Sequence, residues 1–371
     1  MPYLSDTTRS LERMNIPQLN SLTSIRGIAA WWVVLFHFDS YIKPYVDSSV
    51  YGLIDKGYLA VDLFFCLSGF VIFMNYGNID IKSAAACRIF YVKRIAKVYP
   101  LHLSAIGLYL GLIGVLALSH RPIPLESFSI KSLLFNLLLI QDWDVLKQLS
   151  WNNPSWSISA EFAAYLLFPV LALVARPASK HIWYGGFVIG GALILLNLCY
   201  AREAYNLGSA ITTFGVIRCI SQFTIGAVLA AIFLRNPSPG RSVRFILFAA
   251  AFLFFLVGLY ALESIFVPIG WAALVLYLAF NDEAARLLRL RFLVFIGEIS
   301  YATYMVHYFI RELFKLVLVH ENQVTPAAYI VLTFLIIAIF SVALYRLVEK
   351  PAQRVIIRTV LARSQLISAP R

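Results

Sequence analysis

The sequence predicts an all-α protein, a polytopic bundle of about ten transmembrane helices with both termini in the cytoplasm. The first observation behind this prediction is composition: 60% of the 371 residues are hydrophobic and 13% are charged, whereas soluble domains average about 45–50% apolar and about 25% charged residues. The mean hydropathy is +0.78. The second observation is that apolar runs of spanning length recur along the chain. The third is that basic residues concentrate between alternate pairs of runs, as in cytoplasmic loops.

Ten apolar runs are long enough to cross a bilayer, which takes about 20 residues. We place these spans at residues 22–41, 58–75, 95–118, 156–175, 182–200, 212–234, 245–260, 264–280, 292–318 and 326–347. A further run at 130–140 has only 11 residues. That length is too short to span, so we predict a re-entrant or interfacial helix there.

The net charge of +12 would suggest nucleic-acid binding in a soluble protein. Here the segments assigned to the cytoplasm hold 20 Lys or Arg residues and the outer segments hold 6. This asymmetry is the positive-inside pattern of a membrane protein. We therefore expect membrane lipid, and not nucleic acid, as a partner.

The remaining composition indicates a single membrane domain. None of the four cysteines belongs to a CxxC pair, so we expect neither a metal site nor a disulfide framework. The first 21 residues lack the apolar core of a signal peptide. We predict a cytoplasmic tail over residues 1–21, a transmembrane domain over 22–350 and a basic cytoplasmic tail over 351–371.

Ionisable side chains inside predicted spans are functional candidates, because burying them in lipid is costly. Arg26 and His37 lie eleven residues apart in the first span, which places them on one helix face and about 16 Å apart along the axis. Arg26 near the inner boundary is either a snorkelling anchor or part of a site. His37, in the outer half, either bonds a neighbouring carbonyl or transfers a proton.

Two carboxylates enter the second and fourth spans. We expect Asp62 to pair with Arg26, Lys56 or a histidine. Ser68, in the same span, precedes a glycine and marks either close helix packing or a local opening. Glu161 lies about 7 Å below the outer boundary, where we expect a partner at the depth of the histidines.

Cations gather at the inner end of the third span. Lys93 and Arg94 directly precede this span and Lys97 lies in its first turn, and Arg94 and Lys97 share one helix face. They are either ordinary cytoplasmic anchors or a clamp for an anionic ligand, most simply a phosphate.

The ninth span carries one polar stripe. Ser300, Tyr304, His307 and Arg311 follow one another at helical spacing, so this face must point into the bundle. Tyr304 and His307 could orient a substrate hydroxyl or an imidazole, and Arg311 could meet an acidic acceptor. Arg218, in the sixth span, has no obvious local partner.

Five motifs resemble those of the acyltransferase-3 family of integral membrane O-acyltransferases. They are Arg26 and His37 with ten residues between them, DLFFCLSGF at 62–70, KRIAKVYP at 93–100, WSISAE at 156–161 and SYATYMVH at 300–307. Glu349, Lys350 and Pro351 form a sixth, weaker match. The motifs lie in order over nearly the whole chain, and this makes the resemblance specific.

The resemblance implies transfer of an acyl group, most often acetyl, from cytoplasmic acyl-CoA to a hydroxyl of a glycan or of a macrolide-type metabolite. It also implies that Arg26 and His37 are the essential pair and that Arg94 and Lys97 bind the donor. Lys97 departs from the usual Arg-x-x-Arg pattern and loses the bidentate fork of a second guanidinium. Some relatives carry an extracytoplasmic esterase-like domain, and we expect this chain to act without one.

We therefore predict a bacterial inner-membrane O-acyltransferase that acylates an extracytoplasmic or lipid-linked glycan with acyl-CoA (acetyl-CoA) as donor and no metal. His37 would be the general base, assisted by Glu161 or His307, with an acyl-histidine intermediate as a variant. Arg26, Lys93, Arg94 and Lys97 would bind the donor. The candidate substrate-binding residues are Asp62, Ser68, Trp156, Ser157, Tyr301, Tyr304 and Arg311. The competing hypotheses are a proton-coupled carrier of an organic anion, although the sequence shows no inverted repeat or paired broken helices, and a non-catalytic scaffold.

Overall fold

The computed structural model describes residues 18–120, 127–201, 206–319 and 324–367. All regular structure in these ranges is helical. The helices are α1 (Asn20–His37), α2 (Asp39–Ile42), α3 (Ser48–Asp55), α4 (Ala60–Tyr76), α5 (Ala84–Leu118), α6 (Ile130–Leu137), α7 (Trp156–Ala175), α8 (Ile182–Ala201), α9 (Ile211–Arg235), α10 (Arg241–Gly258), α11 (Glu263–Phe280), α12 (Arg291–Glu298), α13 (Ser300–Leu318), α14 (Ala327–Leu344) and α15 (Lys350–Ile367). Most of the predicted tail 1–21 and the last four residues of the chain lie outside the described ranges.

The fold class is confirmed. Eight helical segments are long and apolar enough to cross a membrane, and there are ten if each of two bent pairs counts as one span. Each of the ten predicted spans coincides with one of these segments. Helix α6 has 8 residues, so the short run at 130–140 is not a span, as predicted.

Helices α4 and α9 form the centre of the bundle. A Cβ atom on Gly69 would lie 1.9 Å from the Phe223 carbonyl oxygen, and one on Gly226 would lie 1.9 Å from that of Cys66. Such an approach is possible only for glycine, as at other close helix contacts in membranes. The glycine after Ser68 therefore marks close packing.

Two spans predicted to be continuous are bent instead. The axis turns by 73° between α1 and the segment Asp39–Tyr45, and by 63° between α12 and α13. Each bend exposes helix-terminal carbonyls that need a donor inside the bilayer. Arg311 Nε donates to the carbonyl of His37 at 2.6 Å, and Arg26 Nη2 donates to the carbonyl of Gly297 at 3.1 Å. No proline stands at either break, so the residue pattern did not predict them.

A buried ion pair joins α4 to α9. Arg218 Nε donates to Asp62 Oδ1 at 2.9 Å and Arg218 Nη2 donates to Oδ2 at 2.6 Å, and both side chains are at most 1% exposed. Gln222 and the carbonyls of Tyr58 and Leu207 complete the network. The expectation that Asp62 pairs with Arg26, Lys56 or a histidine is therefore wrong. Arg218 faces Asp62 across the close contact between α4 and α9, which sequence spacing could not show.

We predict that replacing Asp62 with Asn destabilises the protein by about 3–5 kcal/mol, because the Arg218 charge is then buried without its counter-ion. The double variant Asp62→Leu with Arg218→Met should be more stable than the single variant, since it removes both charges. Thermal unfolding in detergent tests this order. A single variant as stable as the wild type would contradict it.

Candidate active site

Two histidines meet at the point where α1 ends. His37 is the last residue of α1, and its Nδ1 lies 3.1 Å from Nε2 of His307 on α13. The sequence placed both residues on inward faces, and the structure brings them together. His307 is fully buried, whereas His37 is partly exposed.

The backbone fixes the proton positions on both rings. Nδ1 of His307 lies 3.2 Å from the Thr303 carbonyl and Nδ1 of His37 lies 3.0 Å from the Val33 carbonyl. A carbonyl can only accept, so each neutral ring carries its proton on Nδ1. The Nδ1–H of His37 is then shared between the Val33 carbonyl and Nε2 of His307, and both accept. His37 Nε2 keeps a lone pair with no hydrogen-bond partner among the described residues, and this is the arrangement that a general base requires.

Arg311 holds the end of α1. Besides the bond to the His37 carbonyl, it forms an ion pair with Glu312 at 2.7 Å. The His37 ring also lies edge-on to Tyr308 at 5.2 Å, and Tyr308 accepts a hydrogen bond from Asn153. We expected Arg311 to meet an acidic acceptor. In the structure it instead positions the backbone of His37.

A cavity of about 400 Å³ lies on the side of the histidine pair toward the predicted cytoplasmic end. Polar side chains from five helices line it. They include Arg26, Ser68, Arg94, Lys97, Ser157, Glu161, Ser300, Tyr301 and Tyr304. The cavity brings together most of the residues that the sequence singled out. His37, His307, Asp62, Lys93, Trp156 and Arg311 are outside its lining.

The cavity ends just short of the histidines. Tyr304 lines it, hydrogen-bonds Ser157 at 2.8 Å, and has its ring 5.8 Å from that of His307. Trp156 points away and packs on the Arg218 guanidinium at 5.5 Å. The two histidines therefore lie next to the end of the cavity that Tyr304 lines.

Glu161 does not reach the histidines, contrary to expectation. Its neighbours are Ser68 and Tyr165, with Arg26 and Arg94 near. The cause is the start of α7, which the turn Asn153–Ser155 fixes deep in the bundle. Tyr304 donates to the Pro154 carbonyl at 3.0 Å and Asn152 donates to the Met305 carbonyl at 2.9 Å. Glu161 lies more than one helical turn further along α7, on the cavity wall.

The other end of the cavity is cationic. Nε of Arg26 and Nε of Arg94 are both buried and have no hydrogen-bond partner among the described residues. Lys97 instead forms an ion pair with the buried carboxylate of Glu349. Lys93 lies over the Tyr76 ring at 5.9 Å and is outside the cavity lining. Two guanidinium groups with free Nε donors and no ion-pair partner among the described residues are suited to an anion.

Glu349 is the site residue that the sequence reasoning did not assign. It lies in a π-helical turn, Tyr345–Glu349, that joins α14 to α15. Such wide turns occur often at functional sites. The weak match at Glu349, Lys350 and Pro351 was the one signal in the sequence, and nothing in it connected Glu349 to Lys97.

Residues 19–346 match a family model described as "Acyltransferase domain". The chain belongs to the acyltransferase-3 family. It is a multi-pass membrane acyltransferase, and the resemblance drawn from the motifs is confirmed.

Relatives of this acyltransferase include proteins of similar and of greater length. It is 29% identical to acyltransferase MdmB of Streptomyces mycarofaciens, over 92% of this chain and 93% of that protein. A putative O-acetyltransferase of Staphylococcus aureus strain MRSA252 is 23% identical over 93% of this chain and 59% of its own length. One from strain COL is 23% identical over 90% and 57%. The chain thus spans somewhat over half of the staphylococcal proteins. No solved structure matches it.

We predict that diethyl pyrocarbonate modifies His37 and spares His307 in the folded acyltransferase. The reagent needs an accessible imidazole lone pair. His37 Nε2 is without a partner among the described residues, whereas His307 Nε2 faces His37 inside the bundle. Peptide mass spectrometry measures both sites. His102, buried and bonded to the Asn136 carbonyl, is the internal control, and faster labelling of His307 than of His37 would refute the proton assignment.

Proposed function

We propose that the protein transfers an acyl group, most simply acetyl, from cytoplasmic acyl-CoA to a hydroxyl of an extracytoplasmic or lipid-linked glycan. The observation that carries the proposal is the cavity itself, with two guanidinium groups with free Nε donors at one end and a histidine pair next to the other. Its volume falls within the range of about 300–1,000 Å³ usual for small-molecule sites. Family membership indicates the reaction class. The arrangement of charges indicates that the donor binds at the cytoplasmic end and the acceptor at the other end.

Arg26 and Arg94 hold the phosphates of the donor. Each has a buried Nε–H with no partner among the described residues, and a guanidinium binds phosphate through parallel hydrogen bonds. Lys97 contributes less than the motif implies, because Glu349 already neutralises its charge. The remaining length of the cavity then receives the pantetheine arm, with the thioester toward Tyr304 and Ser157.

His37 activates the acceptor. Its Nε2 lone pair takes the proton of the acceptor hydroxyl as the oxygen attacks the thioester carbonyl. The imidazolium that forms is stabilised through Nδ1 by His307 Nε2, which already faces it at 3.1 Å. Collapse of the intermediate releases the CoA thiolate, which recovers the proton from His37. The hydroxyls of Tyr304 and Ser157 lie at this end of the cavity, and one of them would turn from the Pro154 carbonyl to donate to the developing oxyanion.

The acceptor binds on the side of His37 away from the cavity. Because His37 lies in the outer half of its predicted span, transfer finishes toward the outer face of the bacterial inner membrane. The family resemblance implies a glycan as the first choice of acceptor and a macrolide-type metabolite as the second. His37 can deprotonate a hydroxyl of either acceptor. An acyl-histidine intermediate is a less direct route, since the acceptor and the thioester can meet at one imidazole.

The charge arrangement also fits a proton-coupled carrier of an organic anion. The fate of acyl-CoA distinguishes the enzyme hypothesis from the carrier hypothesis. An enzyme consumes acyl-CoA, whereas a carrier moves an organic anion intact. Family membership favours the enzyme.

We expect purified protein in detergent to be stabilised saturably by acetyl-CoA, with about tenfold weaker binding in Arg94→Ala, equivalent to the loss of about 1.4 kcal/mol. Lys93→Ala is the matched control, because Lys93 is the neighbouring cation that lies outside the cavity. Calorimetry or thermal shift gives the dissociation constants. A folded protein that binds neither acetyl-CoA nor longer acyl-CoAs would remove the donor assignment.

We expect His37→Gln to lower acyl transfer by at least about 100-fold, the usual contribution of a general base, while acetyl-CoA binding stays unchanged because His37 is outside the cavity. Membranes from the producing cells, supplied with radiolabelled acetyl-CoA, report transfer to endogenous acceptors. Full transfer by a normally folded His37→Gln protein would exclude His37 as the base.

A further inference from the structure

Glu349 lies behind the cationic end of the cavity and holds Lys97. Glu349 is 1% exposed and is outside the cavity lining, whereas Lys97 is part of that lining. Lys97 Nζ donates to Glu349 Oε1 and lies 5.5 Å from the centre of the Tyr301 ring, which also lines the cavity. The ion pair therefore holds one cation of the cavity wall against a carboxylate on the protein side of that wall.

The carboxylate depends on Lys97 for its counter-charge. Glu349 Oε2 is buried and has no hydrogen-bond partner among the described residues. Within the same part of the chain, Lys97 is the one cation that forms an ion pair with Glu349. Because a buried carboxylate without a counter-charge is costly, Glu349 attracts Lys97 whether or not the cavity holds a ligand.

Lys97 is also within reach of a ligand in the cavity. Its side chain is 31% exposed. It lines the same cavity as Arg26 and Arg94, whose Nε atoms have no hydrogen-bond partner in the described ranges. An ammonium group has three donors, and Glu349 takes one of them. A phosphate that binds the two guanidinium groups therefore meets an ammonium that Glu349 already attracts.

The backbone fixes Glu349 and leaves Lys97 as the partner that moves. Glu349 ends the π-helical turn Tyr345–Glu349. The Tyr345 hydroxyl donates to Glu298 Oε2 at 2.7 Å, and this bond ties the turn to the break between α12 and α13. Lysine carries its charge on a flexible four-carbon chain. The ammonium therefore divides between a fixed carboxylate and a phosphate in the cavity.

We propose that Glu349 is a positioning residue that competes with the donor phosphates for Lys97 and so sets how tightly the protein holds acyl-CoA and CoA. The role of Glu349 rests on the donor site proposed above. The product CoA carries the same phosphates as acyl-CoA, so a site whose cations were all free would retain the product. The resident carboxylate weakens both complexes and lets CoA leave.

The test compares Glu349→Gln with the wild type in detergent, by calorimetry with acetyl-CoA and with CoA. Removing the carboxylate frees Lys97, so both dissociation constants should fall about tenfold, as for one added hydrogen bond between charged groups. S-acetylpantetheine lacks the phosphates and should gain nothing from the substitution. Acetyl-CoA binding that is unchanged or weaker in Glu349→Gln would overturn the proposal.

Glu298→Gln is the matched control. It removes the same charge near the same turn, but Glu298 is 40% exposed and is outside the cavity lining, so affinity for acetyl-CoA should not change. In a Lys97→Met background, Glu349→Gln should no longer tighten binding. Tightening by Glu298→Gln, or tightening that persists without Lys97, would show a general effect of charge and refute the competition.

Two further comparisons keep the outcome clear. Glu349→Asp keeps the charge and withdraws the carboxylate by one methylene, so it should tighten binding in the same direction if Glu349→Gln does not fold, and no gain there would count against the proposal. A wild-type protein that binds no acyl-CoA would remove the donor site itself. Wild-type binding with no gain in the folded variants would leave the donor site in place and remove only the role of Glu349.

Discussion

The ion pair between Asp62 and Arg218 is the interaction on which the rest of the structure depends. It lies fully buried between α4 and α9 and satisfies two charges that the bilayer could not solvate. The glycine contacts at Gly69 and Gly226 bring the two helices close enough to form it. The same helix, α4, then presents Ser68 to the cavity, so the position of the cavity wall follows from the central pair.

Charged groups also shape the two broken spans. Arg311 donates to the carbonyl that ends α1, and Arg26 donates to the carbonyl of Gly297 just before the second break. Both bonds satisfy backbone acceptors at helix ends, and the Gly297 carbonyl also accepts from Ser300 Oγ at 2.7 Å. Because the first break follows His37 directly, the bond from Arg311 also fixes the position of the proposed base. Arg26 and Arg311 therefore bind the ends of the broken helices and also belong to the proposed site.

The polar residues divide into two groups with different chemistry. At the cationic end, Glu349 neutralises Lys97 and leaves the guanidinium groups of Arg26 and Arg94 for an anion. At the other end, His37 and His307 face each other, with the Arg311–Glu312 ion pair against the His37 backbone. Anion binding and proton transfer therefore take place at different ends of the cavity. This separation suits a reaction that moves an acyl group from a soluble anionic donor to an acceptor on the far side of the bundle.

The sequence by itself determined the helical class, the positions of the ten spans, the short run that does not span and most of the polar residues that line the cavity. It did so because apolar length and helical period are local properties. Only the tertiary structure decided the partners: Asp62 with Arg218, His37 with His307 and Lys97 with Glu349. These pairs join residues 156, 270 and 252 positions apart. A helix face shows which side chains point inward, but packing alone selects the helix that each face meets.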